Sequence, residues 1–240
     1  LIGLVNVVDS LIAREVDCGC YLNAGREVGV ASTKAYSSQV VMLSMIAVWF
    51  SQQKEINESK RKQIIADLRQ LPNDIQNTFI NLNEKIDTLI ETIFKNKRHC
   101  FLLGKGKSES VAKEGALKIK EISYIHSEGY STSALKHGPF SLLDEEFPVI
   151  ILAPKNKYLS KAENAYEEIK SRSSPILFIT TDNNCCKNND KEYVLLTSYN
   201  KTYSDLMGIF PLQLLAYKLS INNGINPDIP KNLAKVVTVE

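Results

Sequence analysis

The sequence has few of the features that mark secreted, membrane-bound or nucleic-acid-binding proteins. Its 240 residues include only 5 cysteines, and this odd number argues against a disulfide framework. The longest apolar run, residues 40–50, is well short of the about 20 residues that a membrane-spanning helix needs. Lys and Arg total 29 against 27 for Asp and Glu, so no excess of positive charge attracts nucleic acid. We therefore expect a cytoplasmic protein whose partners include neither a membrane nor a nucleic acid.

Metal ligands are equally scarce in the sequence. Cys18 and Cys20 have the spacing of a metal-binding pair, but no second pair or nearby histidine completes four ligands. Their alternation with Asp17 and Gly19 favours a strand that carries both sulfur atoms on one buried face. We expect neither a metal nor any other cofactor.

The part of the chain from residue 97 onward alternates between short apolar runs and amphipathic segments. This alternation predicts βαβ units, and therefore an α/β fold with a parallel sheet flanked by helices. The expected strands are 98–103, 147–153, 176–181 and 193–197, and the expected helices are 109–122, 159–172 and 202–222.

The first 96 residues predict a different organisation. Strands are expected at 1–8 and 18–22, and a helix from 33 or 34 to 53 is apolar almost all round, which predicts burial between layers. Two further helices, 54–71 and about 75–93, are expected to be separated by Pro72. The predicted division is an incomplete first unit (1–53), a helical connector (54–96), a complete α/β domain (97–225) and a C-terminal tail (226–240). Because Leu1 begins directly in strand-like sequence, we expect a piece of a longer polypeptide.

One predicted helix carries three charged residues on a single face. Glu114, Lys118 and Glu121 follow the spacing i, i+4, i+7, which brings their side chains together. An ion pair on a solvated surface would explain this pattern. The neighbouring positions are mostly apolar, however, so a polar stripe on an otherwise buried helix also indicates a cleft.

Two single residues could carry proton-transfer or covalent chemistry. His137 precedes Gly138-Pro139, so its imidazole is expected at a turn, where it could serve as a proton carrier or as a structural hydrogen-bonding group. Lys235 is the only lysine in the apolar tail 232–240. A buried amine could form a Schiff base, whereas a surface lysine would have no such role.

The segment before the helix at residue 34 offers a further candidate site. Ser32 and Thr33 match the residue types preferred at a helix N-cap. Backbone amides at such an N-terminus can also bind a phosphate or a sugar hydroxyl. Capping alone would explain these residues.

Several of these motifs together resemble the isomerase half of the glutamine–fructose-6-phosphate aminotransferase family, which consists of two sugar-isomerase (SIS) domains. The resemblance covers essentially the whole chain and keeps the order and spacing of the family. The matching stretches are 14–15 with 17, 23–25, 29–35, 114–124, 135–139, 211–217 and 232–240. It implies a parallel sheet flanked by helices, with this chain supplying the end of the first SIS domain and all of the second.

The resemblance also implies roles for individual residues. Glu121 would move a proton between C1 and C2 of the open-chain sugar, and Lys235 would form a Schiff base with the ketose carbonyl. His137 would open the sugar ring from the neighbouring subunit of a homodimer or higher homo-oligomer. Lys118 and Glu114 would be assisting charges. Substrate contacts would come from Val30, Ser32 and Ala234.

The resemblance is incomplete in four respects. The phosphate-binding loop of the first SIS domain and the glutaminase domain of the family have no counterpart in these 240 residues. Ala134 stands where the family usually has Glu, and Asp9 stands where it commonly has Gly. Two other functions therefore stay open: a SIS-type regulator that binds a sugar phosphate without turnover, and an inactive fragment.

Overall fold

The N-terminal region contains two parallel strands and two helices. In a computed structural model, which describes residues 1–185 and 192–233, the elements are β1 (Ile2–Val5), α1 (Leu11–Glu15), β2 (Cys18–Tyr21) and α2 (Lys34–Gln53). β1 and β2 pair in parallel from Ile2 opposite Cys18 to Val5 opposite Tyr21. Both predicted strands and the predicted helix are thus confirmed, although the first strand is shorter than expected.

The predicted burial of this region is wrong for the described chain. No residue of α2 is buried, and Leu43 is 57% exposed. Cys18 and Cys20 are exposed as well, with free thiols. The physical reason is that a sheet of only two strands has too few neighbours to cover both of its faces.

A single long helix replaces the two predicted around Pro72. α3 spans Glu58–Leu89 and continues into one π-helical turn, Ile90–Phe94. Hydrogen bonds from one loop secure the helix on both sides of the proline. The Asn200 side chain donates to the Asp67 carbonyl and to Asp74 Oδ2, both at 2.9 Å, and the Thr202 N–H donates to Asp67 Oδ2 at 3.1 Å. These contacts offset the lost backbone hydrogen bond that usually ends a helix at proline.

The rest of the chain forms an open parallel sheet with helices on both faces. Its elements are β3 (His99–Gly104), α4 (Lys107–Ser123), β4 (His126–Ser131), β5 (Val149–Ala153), α5 (Leu159–Lys170), β6 (Ile176–Thr180), β7 (Glu192–Leu196) and α6 (Ile209–Asn222). The strand order is β4-β3-β5-β6-β7, and every pair is parallel. The predicted α/β fold is confirmed. The last helix begins at residue 209 rather than 202, because a 3₁₀ turn, Leu206–Gly208, precedes it.

β4, one of the two edge strands of this sheet, is not among the strands expected from the sequence. Its sequence, residues 126–131, is mostly polar and lacks the β-branched residues typical of a strand. Close packing against α4 holds it in place. A Cβ added at Gly129 would lie 2.5 Å from the Cα of Lys113, and the Ser127 hydroxyl donates to the Ala116 carbonyl at 2.7 Å.

The core is divided between the two faces of the sheet. On one face, Leu102, Ile150 and Leu177 pack against α3, α4 and α6, whereas Leu103 and Ile151 face α5 on the other. Alternate residues of each strand are therefore buried on opposite faces, as in a sheet covered by helices on both sides. Among the described residues, no helix is both long enough and apolar enough to cross a bilayer.

Candidate active site

The side chain of Lys118 lies buried on α4 between two carboxylates. Only 3% of this side chain is exposed, and Nζ lies 2.7 Å from Glu121 Oε2 and 3.5 Å from Glu114 Oε1. Glu114 and Glu121 keep 18% and 20% of their side chains exposed. The structure thus brings the three predicted residues together, and the burial of Lys118 contradicts the interpretation of a solvated surface pair.

Close helix packing removes Lys118 from water. A Cβ at Gly115 would lie 2.3 Å from Leu212 Cδ1, so the absent side chain is what lets α6 approach α4 at this point. Burying an ammonium group is costly unless charged and hydrogen-bonding partners compensate for its lost hydration. Two carboxylates supply that compensation, and both remain reachable from solvent.

Tyr36 of α2 completes one side of this charged cluster. Burial raises the pKa of its phenol above the ordinary value, and the negative charge of Glu114 raises this pKa further. The N-terminal region therefore contributes directly to the surroundings of the cluster. Tyr36 could not be predicted from the sequence, because nothing in the local pattern of α2 indicates which face meets α4.

The segment before α2 is organised by Glu27 rather than by a capping hydroxyl. Glu27 Oε1 accepts hydrogen bonds from the Thr33 and Ala35 N–H groups at 3.0 and 3.1 Å, and the Ser32 hydroxyl donates to the same carboxylate at 3.4 Å. Thr33 occupies the N-cap position but makes no side-chain capping bond. The expected Ser/Thr cap is therefore wrong, and Glu27 already engages two of the amides that a phosphate would use.

A cleft of about 550 Å³ opens where this segment meets the end of α4. Its walls are residues 26–29, 31 and 33–34, Ile122 of α4, the α6 residues Gln213, Tyr217 and Ile221, and residues 226–228. Val30 and Ser32 alternate with these wall residues in sequence and are half-buried, but neither lines the cleft. Ile122 directly follows Glu121 in sequence, whereas Glu114, Lys118 and Glu121 are not among the residues that line the cleft.

The described end of the chain runs toward the same place. A Cβ at Gly29 would lie 3.2 Å from Asp228 Oδ1, so residues 226–228 pass close to the 26–34 segment. The Lys231 N–H then donates to the Tyr124 hydroxyl at 2.6 Å, and the Lys231 ammonium lies 4.6 Å from the centre of that ring. Tyr124 is three residues beyond Glu121. The predicted site residues Ala234 and Lys235 lie outside the described residues.

His137 does not join the cluster within one chain. It is exposed in the 3₁₀ turn Leu135–His137, which follows β4. Leu135 is buried in the core on the α5 face of the sheet, and Lys136 Nζ lies 2.7 Å from Glu168 Oε1 of α5. The sheet therefore separates the His137 turn from α4, which packs on the opposite face.

The parallel sheet, with a lysine held between two carboxylates on a helix that also contributes to a cleft, is an arrangement suited to proton transfer on a small polar substrate. The family model of the SIS domain matches residues 93–222, and the chain belongs to this family.

Within that family, the similar curated proteins point to one kind of enzyme. The chain is 48% identical over 242 residues to a probable glutamine–fructose-6-phosphate aminotransferase (isomerizing) of Acanthamoeba polyphaga mimivirus, covering all of this chain and 39% of that protein. It is 39% identical to glutamine–fructose-6-phosphate aminotransferase (isomerizing) 2 of Homo sapiens, covering all of this chain and 35% of that protein. The chain thus spans between a third and two fifths of the length of these relatives. The resemblance inferred from the sequence is confirmed.

A solved structure supports the same grouping. The C-terminal domain of glucosamine-fructose-6-phosphate aminotransferase from Francisella tularensis superposes with a TM-score of 0.89 at 32% identity. The match covers 95% of this chain and 65% of that one. The α/β fold predicted from the alternation of strands and helices is therefore shared with the matched part of that C-terminal domain.

Proposed function

We propose that this chain carries the isomerisation centre of an enzyme that converts fructose 6-phosphate and glutamine into glucosamine 6-phosphate and glutamate. The observation that carries the proposal is the buried Lys118 between Glu114 and Glu121, on the helix that also contributes Ile122 to a cleft built from four separate parts of the chain. The substrates fructose 6-phosphate and glutamine are taken from the names of the relatives. The proton-transfer step is inferred from the chemistry of the charged cluster.

In this proposal Glu121 is the general base. Moving a proton between two adjacent carbons requires one carboxylate that can reach both of them. Glu121 keeps a fifth of its side chain exposed, whereas Lys118 is almost fully enclosed. Glu121 is therefore the group that contacts the substrate, and Lys118 acts through it by holding the carboxylate in place. Glu114 balances the charge of Lys118 from the other side.

Lys235 is proposed as the Schiff-base lysine. Its amine would add to the open-chain ketose carbonyl and expel water, and the resulting iminium would make the adjacent C1 proton easier to remove. Ammonia would first displace the lysine amine, so that the imine at C2 carries the new nitrogen, and Glu121 would then move the C1 proton to C2 to give the amino aldose. Support comes from the course of the described chain, since Lys231 is anchored to Tyr124 near Glu121. From Lys231 to Lys235, four residues further along, an extended chain spans at most about 14 Å. Val30, Ser32 and Ala234 are proposed to contact the sugar.

His137 is proposed to act on the sugar ring from a second copy of the chain. The separation of the His137 turn from α4 by the sheet supports this assignment, because one chain alone does not unite the imidazole with Glu121. The proposal therefore includes a homodimer as the smallest active unit.

The proposal also divides the chain and names what lies beyond it. Residues 1–53 would end a first SIS domain, 54–96 would connect it to a second at 97–225, and 226–240 would complete the site. Ammonia would come from a glutaminase domain outside these residues, since the relatives are more than twice as long. A cytoplasmic location goes with a phosphorylated sugar as substrate.

The test is Lys235→Arg in the protein expressed with all the residues that its gene encodes. Glucosamine 6-phosphate synthesis is expected to disappear while glutamine hydrolysis continues, because the guanidinium cannot form the iminium. Lys231→Arg is the matched control and should retain synthesis, since its anchoring hydrogen bond uses the backbone. Undiminished synthesis by Lys235→Arg would refute the proposal. Sugar-phosphate binding with no turnover in the unmodified protein would favour the regulator instead.

A further inference from the structure

Two histidines face each other at the start of neighbouring strands. His99 begins β3 and His126 begins β4, and the parallel register pairs them directly. Their Nδ1 atoms are 3.4 Å apart, and the ring centroids are 5.5 Å apart with the rings edge to face. Both side chains are exposed to solvent.

The distance between the two nitrogen atoms distinguishes two explanations. A hydrogen bond from an N–H group most often has a donor–acceptor distance of about 2.9–3.0 Å. Two imidazole nitrogens bound to one tetrahedral zinc, each at about 2.0–2.1 Å from the metal, are separated by about 3.3–3.4 Å. The observed 3.4 Å is long for the hydrogen bond and matches the shared metal.

Neighbouring side chains orient both histidine rings for binding a metal ion. Glu128 Oε1 lies 3.5 Å from His126 Nε2, and the other oxygen of Glu128 accepts the hydroxyl proton of Tyr130. A carboxylate that holds the outer N–H of a histidine leaves the inner nitrogen free as a ligand, as is usual at metal sites. The His99 ring is nearly parallel to the Phe147 ring, at 19° and 6.1 Å between centroids.

Nearby positive charge is largely compensated. The Lys97 ammonium is paired with Glu146, and Arg98 is next to His99 in sequence. The carboxylate of Glu128 offsets the repulsion of a metal ion by Arg98.

From this geometry we propose that His99 and His126 together bind one divalent transition-metal ion such as Zn²⁺, with Glu128 as the supporting carboxylate. In the described part of the chain, no group of three His, Cys, Asp or Glu residues is arranged to hold a metal. Water therefore fills the remaining coordination positions, and the ion is exchangeable. It fastens the edge strand β4 to β3, and this role is independent of the proposed isomerase chemistry.

Calorimetric titration of the full chain with Zn²⁺ tests the proposal. A Cys18→Ser, Cys20→Ser background removes the two exposed thiols as competing ligands. One ion is expected to bind per chain and to raise the melting temperature, because a ligand that binds only the folded state stabilises it. Replacing both histidines, His99→Asn with His126→Asn, should abolish binding and the shift in melting temperature. Glu128→Gln should weaken affinity about tenfold or more.

His137→Asn is the matched control, because it removes the third histidine of the chain without touching the pair. Its affinity for Zn²⁺ should equal that of the background protein. Circular dichroism verifies that each variant is folded, which is expected since both histidines are exposed. Absence of binding to the background protein would overturn the proposal. Undiminished binding by the double histidine variant would do so as well, because the metal would then have other ligands.

Discussion

Residues 1–53 and residues 97–225 are built from the same kind of sequence but are buried to very different degrees. Every residue of β5 and β6 is buried, whereas every residue of β2 is exposed and α2 buries none of its own. Both regions have apolar strands and apolar helices. The difference shows that an apolar sequence identifies a surface suited to burial. Whether that surface is buried depends on how many other elements of the fold pack against it.

The less buried region nevertheless matters for the candidate site. It supplies the wall of the cleft at residues 26–34 and the phenol of Tyr36 beside Glu114. The well-packed region supplies the rigid helix α4, on which the charged cluster is mounted. Residues 97–225 thus position the charged cluster, and residues 1–53 enclose it.

A pair of identical substitutions tests the contrast in burial most strongly. Leu102 in β3 is fully buried, and Leu43 in α2 is 57% exposed. Leu102→Ala should lower the free energy of unfolding by about 2–5 kcal/mol, because it removes buried methyl groups and leaves a cavity. Leu43→Ala should change it by no more than about 0.5 kcal/mol. Urea unfolding measures both, and equal losses would mean that α2 is covered in solution.

A second pair compares two lysines on the same helix. Lys118→Met leaves two carboxylates facing each other without their partner, and we expect a loss of about 1–3 kcal/mol, below the value for a fully buried pair because both are partly hydrated. Lys113→Met breaks the exposed pair with Glu109, where 58% of the lysine side chain meets water. That change should cost less than about 0.5 kcal/mol. Thermal or urea unfolding measures the difference, and a smaller loss for Lys118→Met would contradict the structural role of the cluster.

The smallest expected effect lies where the two regions meet. Glu114→Gln should lower the pKa of Tyr36 while leaving it above the ordinary value, because burial is the larger cause and the charge of Glu114 the smaller. A raised pKa means that the folded state favours the neutral phenol. The associated stability is therefore present below the ordinary tyrosine pKa and is lost as pH rises through the folded-state value. Phenolate absorbance, taken as the difference from Tyr36→Phe, follows this titration. An unchanged pKa would place Tyr36 out of range of Glu114.

The elements of the well-packed region could be predicted because their information is local. β5 and β6 are continuous apolar runs, and the charged stripe of α4 follows from helical periodicity alone. β4 could not be predicted, because the contacts that stabilise it come from α4. Gly129 allows α4 to pack closely against the strand, and Ser127 donates a hydrogen bond to that helix. The continuity of α3 through Pro72 likewise depends on Asn200 and Thr202, more than 120 residues away.

By itself, the sequence determined the alternation of strands and helices and the shared face of Glu114, Lys118 and Glu121, because both follow from residue types at fixed spacing. It also indicated the family, through its resemblance to known members. Tertiary structure alone decided that Lys118 is enclosed, that Glu27 caps α2, that the charge of Glu114 raises the pKa of Tyr36, and that the sheet separates His137 from α4. Each of these results from contacts between segments far apart in the chain, and local periodicity contains no information about which surfaces such segments share.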